Sequence, residues 1–196
     1  MTTINKTATQ EAIIQHQQEN YVEAISWYQK ALTLEPKNHL ICQQLGACYA
    51  KLHQYSAAIE HYHKAVTLQP ADMSVVHPLA LAYIEEKRYN EAFSVLCQGA
   101  NISQNDREVG AFGLLLMEFG KAQEASQCFH KALTINPKLV EAQNGLGNAY
   151  RALEKFEDAV SPYKKAVELE PECAGYYSNL GLAYVDLCQF DKAVEV

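Results

Sequence analysis

The sequence predicts an all-α fold in which helix–turn–helix units stack into a solenoid. One pattern of about 34 residues recurs six times along the chain of 196 residues, and four of the copies end in proline. These prolines are separated by 34, 67 and 34 positions and are Pro36, Pro70, Pro137 and Pro171. A fixed period of this length is typical of supersecondary units that each bury an apolar face against the next unit.

The first half of each repeat predicts one helix. If the proline is residue 32 of the repeat, the copies cover about 5–38, 39–72, 73–105, 106–139, 140–173 and, in part, 174–196. Positions 4, 7, 8 and 11 share one helical face because they are spaced i, i+3, i+4 and i+7. Position 8 is always small and is Ala12, Gly46, Ala80, Gly113, Gly147 or Gly181. Such a residue lets a second helix approach closely.

The second half predicts the partner helix. Its positions 17, 20, 24 and 27 also share one face, and position 20 is alanine in every copy: Ala24, Ala58, Ala92, Ala125, Ala159 and Ala193. The proline at position 32 cannot continue this helix and predicts its end. Asn38, Asp72 and Asn105 precede the next helices and are favourable N-caps.

Two departures from the pattern predict local differences. Pro162 lies within the expected second helix of the fifth repeat, where we expect a local kink. The last repeat ends at Val196, about eight residues into its second helix, which is short for a stable helix. We therefore expect the chain to be truncated from a longer protein that carries further repeats or a catalytic domain.

The pattern resembles the tetratricopeptide repeat (TPR) family, whose units carry small residues at positions 8, 20 and 27 and proline at position 32. The resemblance extends from about residue 5 to residue 196 and implies a right-handed α-solenoid, with a single TPR array over residues 1–196. It also implies a concave groove lined by the first helices, in which positions 2, 5, 6, 9, 12 and 13 face the ligand.

Carried onto this chain, the groove positions imply a peptide-binding site with two zones. The first is an apolar strip of Leu81, Ile84, Leu114 and Met117, which suits the apolar face of a helix. The second zone consists of Asn144, Asn148, Arg151 and Asn179. Amide side chains of this kind can hydrogen-bond the main chain of an extended peptide. The lysines that the family's carboxylate-binding chaperone adaptors use are missing, so binding of chaperone tails is not expected.

The composition bears on which partners the protein binds, on the state of its cysteines and on its compartment. The net charge of −7, without a basic stripe, argues against nucleic acid or an anionic membrane as the main partner, and no apolar run is long enough for membrane insertion. The six cysteines show no CxxC pair or organised spacing, which indicates buried thiols rather than a disulfide framework or a zinc site. No signal peptide is recognisable, so the sequence predicts a cytoplasmic protein.

The sequence contains no catalytic, nucleotide-binding or metal-binding signature, and we expect a non-enzymatic chain without cofactor or metal. The expected function is a protein-interaction scaffold that binds a peptide or an amphipathic helix in its concave groove. Two alternatives stay open. The chain could be the substrate-recognition arm of a larger enzyme, for example a glycosyltransferase. It could also be a self-assembling scaffold whose copies meet through the apolar strip or the open C-terminal end.

Overall fold

The computed structural model describes the backbone of residues 3–70 and 72–196 and the side-chain surroundings of residues 7–70 and 72–196. These residues form twelve α-helices and contain no strand, which confirms the all-α prediction. The helices are α1 (Thr3–Gln17), α2 (Tyr21–Leu34), α3 (His39–Lys51), α4 (Tyr55–Leu68), α5 (Val76–Glu85), α6 (Tyr89–Ile102), α7 (Asp106–Glu118), α8 (Ala122–Ile135), α9 (Val140–Ala152), α10 (Phe156–Leu169), α11 (Ala174–Asp186) and α12 (Phe190–Glu195). A 3₁₀ turn, Met73–Val75, leads into α5. No helix in the described part of the chain is long and apolar enough to cross a membrane.

The chain divides into two compact units, which we describe separately. Unit 1 extends to Leu96 and unit 2 begins at Cys97, so the division falls within α6. In both units the odd-numbered helices are the first helices of the repeats and the even-numbered helices are the second. Each second helix begins at position 17 of its repeat, after a short turn.

The core of unit 1 is built on the small residues that the repeat places at fixed positions. Ala12, Ala24 and Ala31 are completely buried, and they pack with Tyr28 and Leu45 in one cluster. A Cβ atom placed on Gly46 would lie 2.6 Å from the ring of Tyr62. Position 8 is therefore small because the aromatic residue at position 24 of the same repeat occupies the space beside it.

Unit 2 uses the same packing twice. A Cβ atom on Gly147 would lie 2.5 Å from the ring of Tyr163, and one on Gly113 would lie 2.8 Å from the ring of Phe129. Phe129 also faces the next repeat, since a Cβ atom on Gly145 would approach its ring to 2.5 Å. Both aromatic side chains are fully buried. The glycines thus allow α7, α9 and the second helices to pack around large rings.

The ends of the helices follow the predicted signals. The second helices that precede prolines end two residues earlier, as α2 does at Leu34 before Pro36. The side chains of Asn38, Asp72 and Asn105 accept hydrogen bonds from the first backbone N–H groups of the helices or turn that follow, which confirms the three predicted caps. Helix α10 continues from Phe156 to Leu169 through the buried Pro162, so this proline does not end the helix.

The turn between the two helices of a repeat contains one residue in the left-handed region, always at position 15. These residues, with φ between 57° and 69°, are Glu19, His53, Lys87, Gly120, Glu154 and Cys188. Only the fourth repeat has glycine there, with φ of 69°. Because side chains other than glycine are disfavoured at such φ values, the other five turns are held in place by the packing of the helices they join.

Replacing Gly120 by alanine is expected to lower the free energy of unfolding by about 1 kcal/mol. A Cβ atom on Gly120 meets nothing within 4 Å, so the cost comes from the backbone conformation alone. The measurement is chemical denaturation followed by circular dichroism. Gly175→Ala is the matched control because Gly175 lies in the helical conformation of α11, where alanine is expected to be neutral or slightly stabilising. Equal effects of the two substitutions would contradict the assignment of strain to the turn.

Candidate peptide-binding faces

A cavity of about 500 Å³ lies between α1 and α3 on unit 1. We call it the α1/α3 cavity, and its lining consists of Thr9, Ile13, His16, Gln17, Tyr28, Asn38, Leu40, Ile41 and Gln44. Six of these residues occupy the repeat positions that the resemblance places in the groove. Ile13 and Leu40 are 42% and 54% exposed, so the cavity offers apolar surface to solvent. Its volume is in the range typical of ligand pockets.

The titratable side chains at the floor of the α1/α3 cavity are uncharged near neutral pH. His16 Nδ1 lies 3.5 Å from the Tyr28 hydroxyl and 3.6 Å from Cys48 Sγ. Burial, and secondarily the charge of Lys51, lowers the pKa of His16, which keeps its imidazole uncharged near neutral pH. Burial raises the pKa of Tyr28 to about 12 and that of Cys48 to about 11. Since none of the lining residues carries a charge under these conditions, the cavity suits uncharged groups.

The predicted apolar strip is divided between the two units. Leu81 and Ile84 lie on α5 in unit 1, and Leu114 and Met117 lie on α7 in unit 2. Leu81 is 42% exposed and Leu114 is 46% exposed, whereas Ile84 and Met117 are half-buried. Within the predicted strip, each unit therefore contributes one exposed leucine, which lies at position 9 of a first helix. Their use by a single ligand stays a prediction.

The predicted polar zone is brought together on α9 and α11 of unit 2, which we call the α9/α11 face. Asn179 Nδ2 donates to Asn144 Oδ1 at 2.8 Å, and the Tyr163 hydroxyl donates to Asn148 Oδ1 at 2.6 Å. All four predicted residues are half-buried. The face is thus pre-arranged by its own hydrogen bonds, and each amide keeps part of its hydrogen-bonding capacity.

The charge of Arg151 is compensated within the chain. Its Nε donates to Asp186 Oδ2 at 2.6 Å, a contact between the fifth and sixth repeats. This hydrogen bond is the first cause that raises the pKa of Arg151. Sequence reasoning did not single out Asp186, although it occupies position 13, which the resemblance assigns to the groove. The structure also shows a hydrogen bond from the Tyr163 hydroxyl to Asn148 Oδ1.

A second and larger cavity, of about 880 Å³, lies on unit 2 and is lined by residues of α8, α9 and α10. Its lining includes His130 and Pro137, the aromatic ring of Tyr150, and Pro162 on α10. His130 Nε2 lies 2.8 Å from the Tyr150 hydroxyl. We call it the α8/α10 cavity. The unusual Pro162 was the only feature of the sequence that pointed to this region.

Among the described residues no cluster of three or more His, Cys, Asp or Glu side chains could hold a metal ion.

Sequence models of the tetratricopeptide repeat match four parts of the chain. Three models described as tetratricopeptide repeats match residues 12–39, 40–72 and 110–139, and one described as TPR repeat matches residues 147–187. No protein among those with curated functions matches the sequence.

Several solved structures share the fold. The crystal structure of MamA protein has a TM-score of 0.69 and 23% identity, and the match covers 90% of this chain and 97% of that one. YrrB, described as a TPR protein with an unusual peptide-binding site, has a TM-score of 0.66 and 18% identity over 86% of this chain and 87% of that one. A tetratricopeptide repeat protein from Parabacteroides merdae has a TM-score of 0.70 and 16% identity over 99% and 77% of the two chains. These similarities confirm the predicted α-solenoid.

Proposed function

Because the chain belongs to the tetratricopeptide repeat family, we propose that it is a protein-interaction scaffold that binds a peptide or an amphipathic helix on the face formed by the first helices of its repeats. The observation that carries the proposal is the α1/α3 cavity, whose open walls include the exposed apolar side chains of Ile13 and Leu40. Exposed apolar side chains around a concave, uncharged site favour a ligand that inserts apolar side chains. The description of YrrB as peptide-binding supports this class of ligand.

Each unit also carries residues that were predicted from the sequence as candidate binding surface. On unit 1, Leu81 exposes apolar surface beside the half-buried Ile84, and on unit 2, Leu114 does so beside the half-buried Met117. Each pair suits apolar side chains of an amphipathic helix. Asn144, Asn148, Arg151 and Asn179 suit polar groups of a peptide main chain. The net charge of −7 favours a protein ligand over nucleic acid.

We propose that the protein binds its ligand without catalysing a reaction. The side chains whose pKa values shift most are buried tyrosines and cysteines, and burial is the first cause of each shift. Such shifts accompany packing and do not by themselves create a reactive group. The six free cysteine thiols support a reducing compartment such as the cytoplasm.

Self-association is a second candidate function. The apolar side chains of Phe190 and Val194 on α12 are 60% and 87% exposed, which favours contact with another apolar surface. Light scattering over a range of protein concentrations tests it. A mass that rises with concentration, and that falls to the monomer value in Phe190→Glu, would support this candidate over binding of a separate peptide.

Replacing both Ile13 and Leu40 by glutamate is expected to weaken peptide binding by about tenfold or more, since each change brings a charge into an uncharged cavity. A random-peptide library displayed on phage supplies the ligand, and fluorescence anisotropy of a selected peptide measures the affinity. Ile14→Glu is the matched control, because Ile14 lies on the same helix, is 43% exposed and does not line the cavity.

Loss of binding in the control as well as in the double variant would contradict the assignment of the ligand to this cavity. A second pair, Leu81→Glu with Leu114→Glu, tests the apolar strip in the same assay. Circular dichroism of every variant checks that helicity is retained. If the library yields no bound peptide at all, the proposed function is wrong.

A further inference from the structure

The hydrogen-bond directions on the α9/α11 face follow from Tyr163. Its hydroxyl donates to Asn148 Oδ1 at 2.6 Å. Because an amide oxygen can only accept, the phenol proton is directed to Asn148. This fixes the amide of Asn148 with its oxygen towards Tyr163. Its two N–H groups are therefore left to donate to a ligand.

Two donor–acceptor pairs connect α9 to α11. In the first, Asn179 donates to Asn144, which leaves the Nδ2 donors of Asn144 and the Oδ1 acceptor of Asn179 for a ligand. The second pair, Arg151 and Asp186, lies seven residues further along both helices, about 10 Å at the rise of an α-helix. Three residues of an extended chain span about the same distance. The face therefore matches the alternating C=O and N–H groups of an extended peptide.

Apart from the exposed Glu141 in the first turn of α9, the charge on this face lies in one ion pair. Arg151 is the only basic residue in the sequences of α9 and α11, and its Nε lies 2.6 Å from Asp186 Oδ2. The two side chains are 27% and 25% exposed, so both can be reached by a ligand. A ligand carboxylate that approaches Arg151 meets the negative charge of Asp186 already in place. Asp186 thus occupies the place that such a carboxylate would take.

We propose that Asp186 determines the ligand specificity of the α9/α11 face, which accepts the uncharged main chain of an extended peptide and disfavours ligand carboxylates. The inference rests on the proposed function, because it concerns which peptides the protein binds. Leu182 and Val185, which are 47% and 44% exposed between Asn179 and Asp186 on α11, supply apolar surface for the side chains of the same peptide.

The test is selection from a random-peptide library displayed on phage, carried out in parallel on the unchanged protein, Asp186→Asn and Asp191→Asn. Peptides selected by the unchanged protein are expected to contain less Asp and Glu than the library. With Asp186→Asn, acidic peptides are expected to bind about tenfold more tightly, the gain from one charge-assisted hydrogen bond to Arg151. Asp191→Asn removes the same charge from the exposed surface of α12 and is expected to behave like the unchanged protein.

Further variants separate specificity from folding. Adding Arg151→Gln to Asp186→Asn is expected to abolish the gain for acidic peptides, and Arg151→Gln alone is expected to strengthen discrimination against them, because Asp186 is then uncompensated. Equal binding of acidic peptides by the unchanged protein and Asp186→Asn would overturn the inference, as would an equal gain in Asp191→Asn. In both cases the proposed function would stand. Failure to select any peptide with any variant would contradict the proposed function and this inference together.

Discussion

Replacing Phe129 by alanine is expected to lower the free energy of unfolding by about 3–5 kcal/mol, the range for removal of a fully buried phenylalanine ring. Phe129 is completely buried on α8, and its ring lies against Gly113 in the same repeat and Gly145 in the next. Neither glycine has a side chain that could fill the space left by the ring, so the cavity would persist. Chemical denaturation followed by circular dichroism measures the loss.

A double-mutant cycle tests whether this contact between repeats is the cause. Gly145→Ala is expected to be destabilising, because its Cβ atom would lie 2.5 Å from the Phe129 ring. In the Phe129→Ala background the same substitution is expected to cost much less, since the ring is gone. If Gly145→Ala has the same effect in both backgrounds, the close packing of glycine on ring is not what holds the fourth and fifth repeats together.

Replacing Ala58 by leucine is expected to lower the free energy of unfolding by about 1–3 kcal/mol through overpacking. Ala58 is fully buried at position 20 of α4, where α3 packs closely against it. Ala57→Leu is the matched control on the same helix, because Ala57 is only half-buried. An unchanged unfolding curve for Ala58→Leu would show that position 20 does not set the distance between the paired helices.

The packing of helices could be predicted from the sequence because it depends on residue size at fixed spacing. Alanine at position 20 and glycine or alanine at position 8 recur in phase, and the structure buries them, as Ala58 and Gly46 illustrate. The helix caps were predictable for a similar reason, since Asn38 acts on backbone groups within three residues of itself.

The turns were less predictable. Lys87 and Glu154 adopt left-handed backbone conformations that their residue types disfavour, because the antiparallel packing of two helices imposes the turn. Only Gly120 gave a local signal for this conformation. The helix α10 continues through Pro162, and the local kink expected there stays a prediction.

The candidate faces could be predicted as positions but not as contacts. Asn144, Asn148, Arg151 and Asn179 were placed on one face by their repeat positions, and the structure brings them together on α9 and α11. Arg151 and Asp186 are 35 residues apart in the sequence. Their pairing depends on how α9 and α11 are aligned, which local spacing does not reveal. The α1/α3 cavity depends in the same way on the distance between Ile13 and Leu40, which lie in different repeats.

The central claim is that a peptide binds on the face formed by the first helices. A crystal structure of the protein with a peptide selected from the display library tests it most directly. We expect the peptide in the α1/α3 cavity or on the α9/α11 face, with its main chain or apolar side chains against Leu40 or Asn148. A peptide in the α8/α10 cavity, against Tyr150 and Pro162, would contradict the claim.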